Sequence, residues 1–102
     1  NSFDGGDPLR VAVLSGRADN VRRWLQRFPA WPIGARLPPM GHSVLHDCCY
    51  FGVNTARCAA ELLTAKANPH QATWTGYHAI HAACLNKDFQ PETLELLLAA
   101  QA

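Results

Sequence analysis

The amino-acid sequence predicts an all-α fold, a solenoid of stacked helix–turn–helix units. Three observations carry this expectation. One short pattern recurs three times, with starts 36 and 35 residues apart. Each copy runs into apolar residues spaced i, i+3, i+4, which put one narrow buried stripe on a helix. No strand pattern competes anywhere along the 102 residues.

The first copy is Gly5-Gly6-Asp7-Pro8-Leu9-Arg10-Val11-Ala12, followed by Gly16. Pro8 suits a first helical position, where a missing N–H costs nothing, and Asp7 before it can cap. Gly16 suits the left-handed residue that ends a helix. A second helix follows with Val21, Trp24 and Leu25 as its stripe. The stretch from Pro29 to Pro39 holds four prolines and cannot be helical throughout. It is a long connection and not a domain linker, because the pattern resumes directly after it.

The second copy is Gly41-His42-Ser43-Val44-Leu45-His46-Asp47-Cys48, followed by Gly52 and by the stripe Ala59, Leu62, Leu63. Ser43 takes the capping position. The third copy is Gly76-Tyr77-His78-Ala79-Ile80-His81-Ala82-Ala83, with Lys87 where the glycine would stand. His78 is a weaker cap than Asp or Ser. A left-handed Lys87 would cost about 1 kcal/mol. Pro91 opens the last helix, with Glu92 and Glu95 near its positive end and Leu94, Leu97 and Leu98 as its stripe. The buried stripes make Leu45, Leu63 and Leu97 the costly positions to truncate. The units span about residues 5–36, 41–70 and 76–102 of a single domain covering 1–102.

Composition narrows the function. Apolar residues make up 48% of the chain, enough to bury a core, and the formal charge is only +1. No strong field for nucleic acid or a membrane surface results. Residues 1–40 carry six Lys/Arg against three Asp/Glu, and residues 41–102 carry three against five. Arg17, Arg22, Arg23 and Arg27 read as a solvated helix face. No apolar run reaches transmembrane length and no signal peptide is visible, so membrane insertion is not expected. Cys48, Cys49, Cys58 and Cys84 lack the spread of a secreted disulfide framework and sit in apolar helical patterns. A reducing compartment, cytoplasm or nucleus, is expected.

Taken together the three copies resemble the ankyrin repeat family, whose pattern is Gly-x-Thr-Pro-Leu-His-x-Ala-Ala-x-x-Gly, then a helix ending in paired leucines, then Gly-Ala. Ser43-Val44-Leu45-His46 matches it well, and His78-Ala79-Ile80-His81-Ala82-Ala83 matches with conservative changes. Asp7-Pro8-Leu9-Arg10 lacks the histidine, and Ala65-Lys66-Ala67-Asn68-Pro69 is similar to the closing turn. The resemblance covers about residues 5–28 and 41–100. The chain departs from the family in two extra residues between the helices of units 2 and 3, around Asn54-Thr55 and Phe89-Gln90. The connection from Pro29 to Pro39 is also about three residues longer than usual.

The histidines and cysteines include types that can ligate zinc, but they form no Cys-x-x-Cys pair. The resemblance implies that His46 and His81 tie neighbouring turns together, and that Cys48 fills a buried alanine position. No metal, cofactor or catalytic residue is expected. No phosphate loop, nucleophile elbow or paired-carboxylate arrangement appears. A thiol on a buried stripe is the opposite of an activated nucleophile.

The resemblance implies instead a protein or peptide partner, held by turn tips and by the outer positions of each first helix. Those tips are Phe3, Asp4 and Gly6; Pro39, Met40 and His42; and Trp74, Thr75 and Tyr77. The helix positions are Leu14 and Ser15, Tyr50 and Phe51, and Leu85 and Asn86. The aromatic types and Met among them are enriched at interfaces. From these rows the partner-binding set is Trp74, Thr75, Tyr77, Met40, His42, Tyr50, Phe51, Leu85 and Asn86. In one competing reading Trp74 and Tyr77 pack on the Trp31–Met40 connection; in another the chain is a structural segment packed within a larger protein or assembly.

The chain does not begin with Met and its last helix lacks a closing Gly, Lys or Arg. A boundary near residue 1, a polar cap made by Arg10, Arg17, Arg22, Arg23 and Arg27, and further repeats after residue 102 are therefore expected.

Overall fold

The computed structural model describes residues 8–35, 41–51, 53–87 and 89–101. Six helices occur in chain order: α1 (Pro8–Leu14), α2 (Ala18–Arg27), α3 (Val44–Phe51), α4 (Thr55–Thr64), α5 (Ala79–Leu85) and α6 (Pro91–Gln101). No strand occurs among the described residues. The helices pair in chain order, α1 with α2, α3 with α4 and α5 with α6. α3 lies between α1 and α5, and α4 lies between α2 and α6, giving two rows within an envelope of 34 × 28 × 25 Å.

Short helices cannot hold themselves together in water, so the packing between rows decides their stability. α1 buries Leu9, Ala12 and Val13, and α3 buries Leu45, Cys48 and Cys49. The second row contributes Val21, Cys58, Ala59, Leu62 and Leu97 to the same core. In α4 the buried set is Thr55, Cys58, Ala59 and Leu62, spaced i, i+3, i+4, i+7. Leu62 is therefore the fully buried leucine, and Leu63 lies at the edge of the stripe, half-buried. Likewise α6 buries Thr93 and Leu97, while Leu98 turns outward.

Two residues predicted to be polar or apolar by pattern alone change role. Arg10 does not cap the first unit. Its guanidinium is buried and lies 2.6 Å from the Asp47 carboxylate of α3. It stands where the other units carry His46 and His81, and it joins α1 to α3 by charge. Cys84 is not on a buried stripe but exposed, because α5 turns it away from α3.

The turns follow backbone sterics. Gly16 has φ +72°, and an added Cβ would meet Val53 Cγ2 at 2.7 Å. Asn54 enters α4 left-handed at φ 47° and donates from Nδ2 to Gly16 O at 3.0 Å, tying the second unit to the first. Lys87 is not left-handed: Asn86 closes α5 in an extended conformation at φ −67°, so the expected cost does not arise. The left-handed lysine is Lys66, after α4. Between α2 and α3, Trp24, Phe28 and Trp31 stack with ring centroids 4.5, 5.1 and 6.4 Å apart. This cluster anchors the start of the long connection, and Gln71 Nε2 donates to Gly34 O at 2.8 Å. The Asp7 cap, Gly52, and the tips at residues 3–6 and 39–40, Met40 included, lie outside the described residues.

Candidate partner-binding groove

The turn before α5 is closed by its own polar atoms. Thr73 N donates to Tyr77 O at 2.7 Å, and Tyr77 N donates to Thr73 Oγ1 at 3.1 Å. Thr75 contributes a hydroxyl contact to Thr73 at 3.1 Å. Thr75 is thus part of the turn's internal bonding. Trp74 lies on Gly41, where an added Cβ would come within 2.4 Å of the indole. Gly41 also has φ +73°, so both its conformation and its bare backbone are required.

His46 locks this turn to the preceding one. Ser43 N donates to His46 Nδ1 at 3.0 Å, which leaves the proton on Nε2. Nε2 then donates to Tyr77 O at 3.0 Å. Beneath it, Asp47 lies between His42 and Arg10, with His42 Nε2 at 3.1 Å and Arg10 Nε at 2.6 Å. The carboxylate is almost wholly buried. A buried charge is tolerated when it is paired, and here the pairing ties α3 to α1 and to the turn that precedes α3.

Between α3 and α5 these contacts leave a half-open groove of about 340 Å³, lined almost wholly by apolar atoms. Tyr50, Phe51, Tyr77 and Leu85 form its rim, and Ala82 lies in its wall. Phe51 is 61% exposed and Leu85 63%. Tyr50 and Phe51 meet edge to face with centroids 4.5 Å apart, so the two rings stiffen one another. His42, His46, Asp47 and Thr73 supply the polar groups of the lining.

Of the residues expected to bind a partner, His42, Tyr50, Phe51, Tyr77 and Leu85 thus line one groove. Trp74 and Thr75 sit on the adjacent turn outside it. Asn86 does not face a partner: it is buried, and its Nδ2 donates to Cys49 O at 2.9 Å, joining α5 to α3. The helical period accounts for this, since the position after Leu85 rotates back towards α3. Ala82, Thr73 and Asp47 belong to the lining and did not stand out in the sequence. Small or polar residues carry no interface signal until the walls around them are known.

The thiols of Cys48 and Cys49 are held in their neutral form, while the hydrogen bond with Cys48 lowers the Cys58 thiol. The hydrogen bond with Cys58, followed by burial, pushes the Cys48 thiol well up. Burial alone pushes Cys49 up to about 12. Among the described residues no group of three His, Cys, Asp or Glu side chains is placed to hold a metal ion. No helix among them is long and apolar enough to cross a membrane. No protein-family model matches the chain, and no curated protein matches it.

Proposed function

We propose that the chain is an ankyrin-type solenoid that binds a protein or peptide partner through the groove between α3 and α5, without catalysing a reaction. The observation that carries this reading is the groove itself. Four large apolar or aromatic side chains from two helices and a turn converge on one concavity, and each of the four is at least 42% exposed. Scattered exposed apolar residues are ordinary, but a contiguous concave set is not. The volume suits one or two bulky apolar anchors of a partner. Ordered aromatic walls lower the entropy lost on binding. The neutral core thiols support a structural role for Cys48 and Cys49, and the buried free cysteines support a reducing compartment, cytosol or nucleus.

A second reading, a segment packed permanently against further repeats or other parts of a parent protein, is favoured by one feature. Cys84, Leu85 and Leu98 are all exposed on α5 and α6. The experiment that tests the first reading is affinity capture with the chain and with Phe51→Ala/Leu85→Ala, using Trp74→Ala as comparison. The double variant is expected to lose captured proteins, with affinity falling more than about tenfold, and Trp74→Ala to lose less. Unchanged capture by the double variant overturns the groove as the binding site.

A further inference from the structure

The two outer faces of the helix rows expose positions whose register equivalents are buried where one pair meets the next. Aligned by register, Val11 corresponds to Ala82, Asn20 to Thr93, and Trp24 to both Leu62 and Leu97. Val11 is 53% exposed, whereas Ala82, Thr93, Leu62 and Leu97 are buried. Val11, Asn20 and Trp24 line, with Arg17, an open hollow of about 500 Å³ on the α1–α2 face. At the other end, Cys84 corresponds to Cys49 and Leu98 to Leu63. Cys49 is fully buried and Leu63 half-buried, whereas Cys84 and Leu98 are exposed.

Charge decides what fits between these ends. Where the first pair meets the second, Arg22 of α2 faces Glu61 of α4 at 3.9 Å. The register equivalent of Arg22 in the last pair is Glu95, and the register equivalent of Glu61 in the first pair is Arg23. Both are exposed. Continuing the row from the α5–α6 face onto an α1–α2 face therefore places Glu95 opposite Arg23, the same kind of pair with its polarity reversed. Ser15 likewise stands at the position from which Asn86 donates to Cys49 O, and its hydroxyl is also a donor.

We infer that the chain stacks head to tail on a second copy of itself, the α5–α6 face of one on the α1–α2 face of the next. Glu95 pairs with Arg23 of the second copy, and Leu98 covers the hollow at Val11 and Trp24. An exposed ion pair contributes little affinity, so the apolar contact drives the association and the charges set its register. The contact is heterologous and does not close on itself, so it extends with concentration. Val11, Arg23, Glu95 and Leu98, on which this contact depends, do not line the groove, so this inference and the binding function can fail independently.

Sedimentation velocity over a range of protein concentrations at low salt tests it. The chain is expected to grow beyond a dimer as concentration rises. Arg23→Glu and Glu95→Arg should each move association to roughly tenfold higher concentration, and the swap Arg23→Glu/Glu95→Arg should restore it. Circular dichroism checks that each surface variant stays helical. Mixing Val11→Asp with Leu98→Asp, each blocked at one end, should give a 1:1 dimer that grows no further. A monomer at every concentration, a closed two-fold dimer, or association that the reversals leave unchanged overturns the inference.

Discussion

α3 and α5 occupy the same register in successive units, yet they live in different surroundings. Among the described residues, α3 is covered by α1 on one side and α5 on the other, whereas α5 is covered on one side only. His46 is buried and bonds onward to Tyr77 O; its counterpart His81 is exposed, with Nδ1 accepting from His78 N at 2.9 Å. Cys49 is buried and Cys84 exposed. The residue types are the same and the local helix is the same. Place in the row sets the energetic weight of each side chain, because neighbours and not propensity remove it from water.

The sharpest test of this contrast lies at the charge that only α3 carries. Asp47→Ala removes the partner of a buried arginine and should cost about 3–5 kcal/mol, read by urea denaturation. Asp47→Asn should recover only part of it. A loss below about 1 kcal/mol would show that Arg10 finds water instead. Against a typical domain stability of about 5–15 kcal/mol, the larger figure could unfold so small a protein.

Apolar truncation contrasts the covered and uncovered helices of the second row. Leu62→Ala should cost about 2–5 kcal/mol through lost transfer energy and the cavity left behind. Leu98→Ala, at low concentration where copies are apart, should change stability by less than about 0.5 kcal/mol. Equal effects would mean that α6 is covered as α4 is.

A smaller difference is expected between the paired histidines. His46→Ala strips partners from the Ser43 N–H and the Tyr77 carbonyl and should cost about 1–3 kcal/mol. His81→Ala loses an exposed bond and should cost about 0.5–1.5 kcal/mol. Thermal melts of the two variants side by side would reverse the comparison if His81 proved the costlier.

The mildest probe leaves the protein intact. A thiol reagent at neutral pH should modify Cys84 first, while Cys48, Cys49 and Cys58 should react only with unfolding, because those three are buried and Cys84 is exposed. Rapid labelling of two or more thiols in the folded chain would show that the core around α3 opens readily.

By itself the sequence determined the helical class and most helix boundaries. Those features rest on local chemistry: the capping position of Ser43, the left-handed Gly16, Pro8 and Pro91 at helix starts, and a 3.6-residue period. Much of the groove rim was legible too, because Tyr50, Phe51, Tyr77 and Leu85 are large side chains at repeating outer positions. The choice of Leu62 over Leu63, the burial of Arg10 beside Asp47, the inward turn of Asn86 and the exposure of Cys84 were decided by tertiary structure. Each depends on which element lies across from a side chain. A one-residue change of helical phase, about 100°, carries a side chain from core to solvent without altering the apolar pattern that predicts the helix.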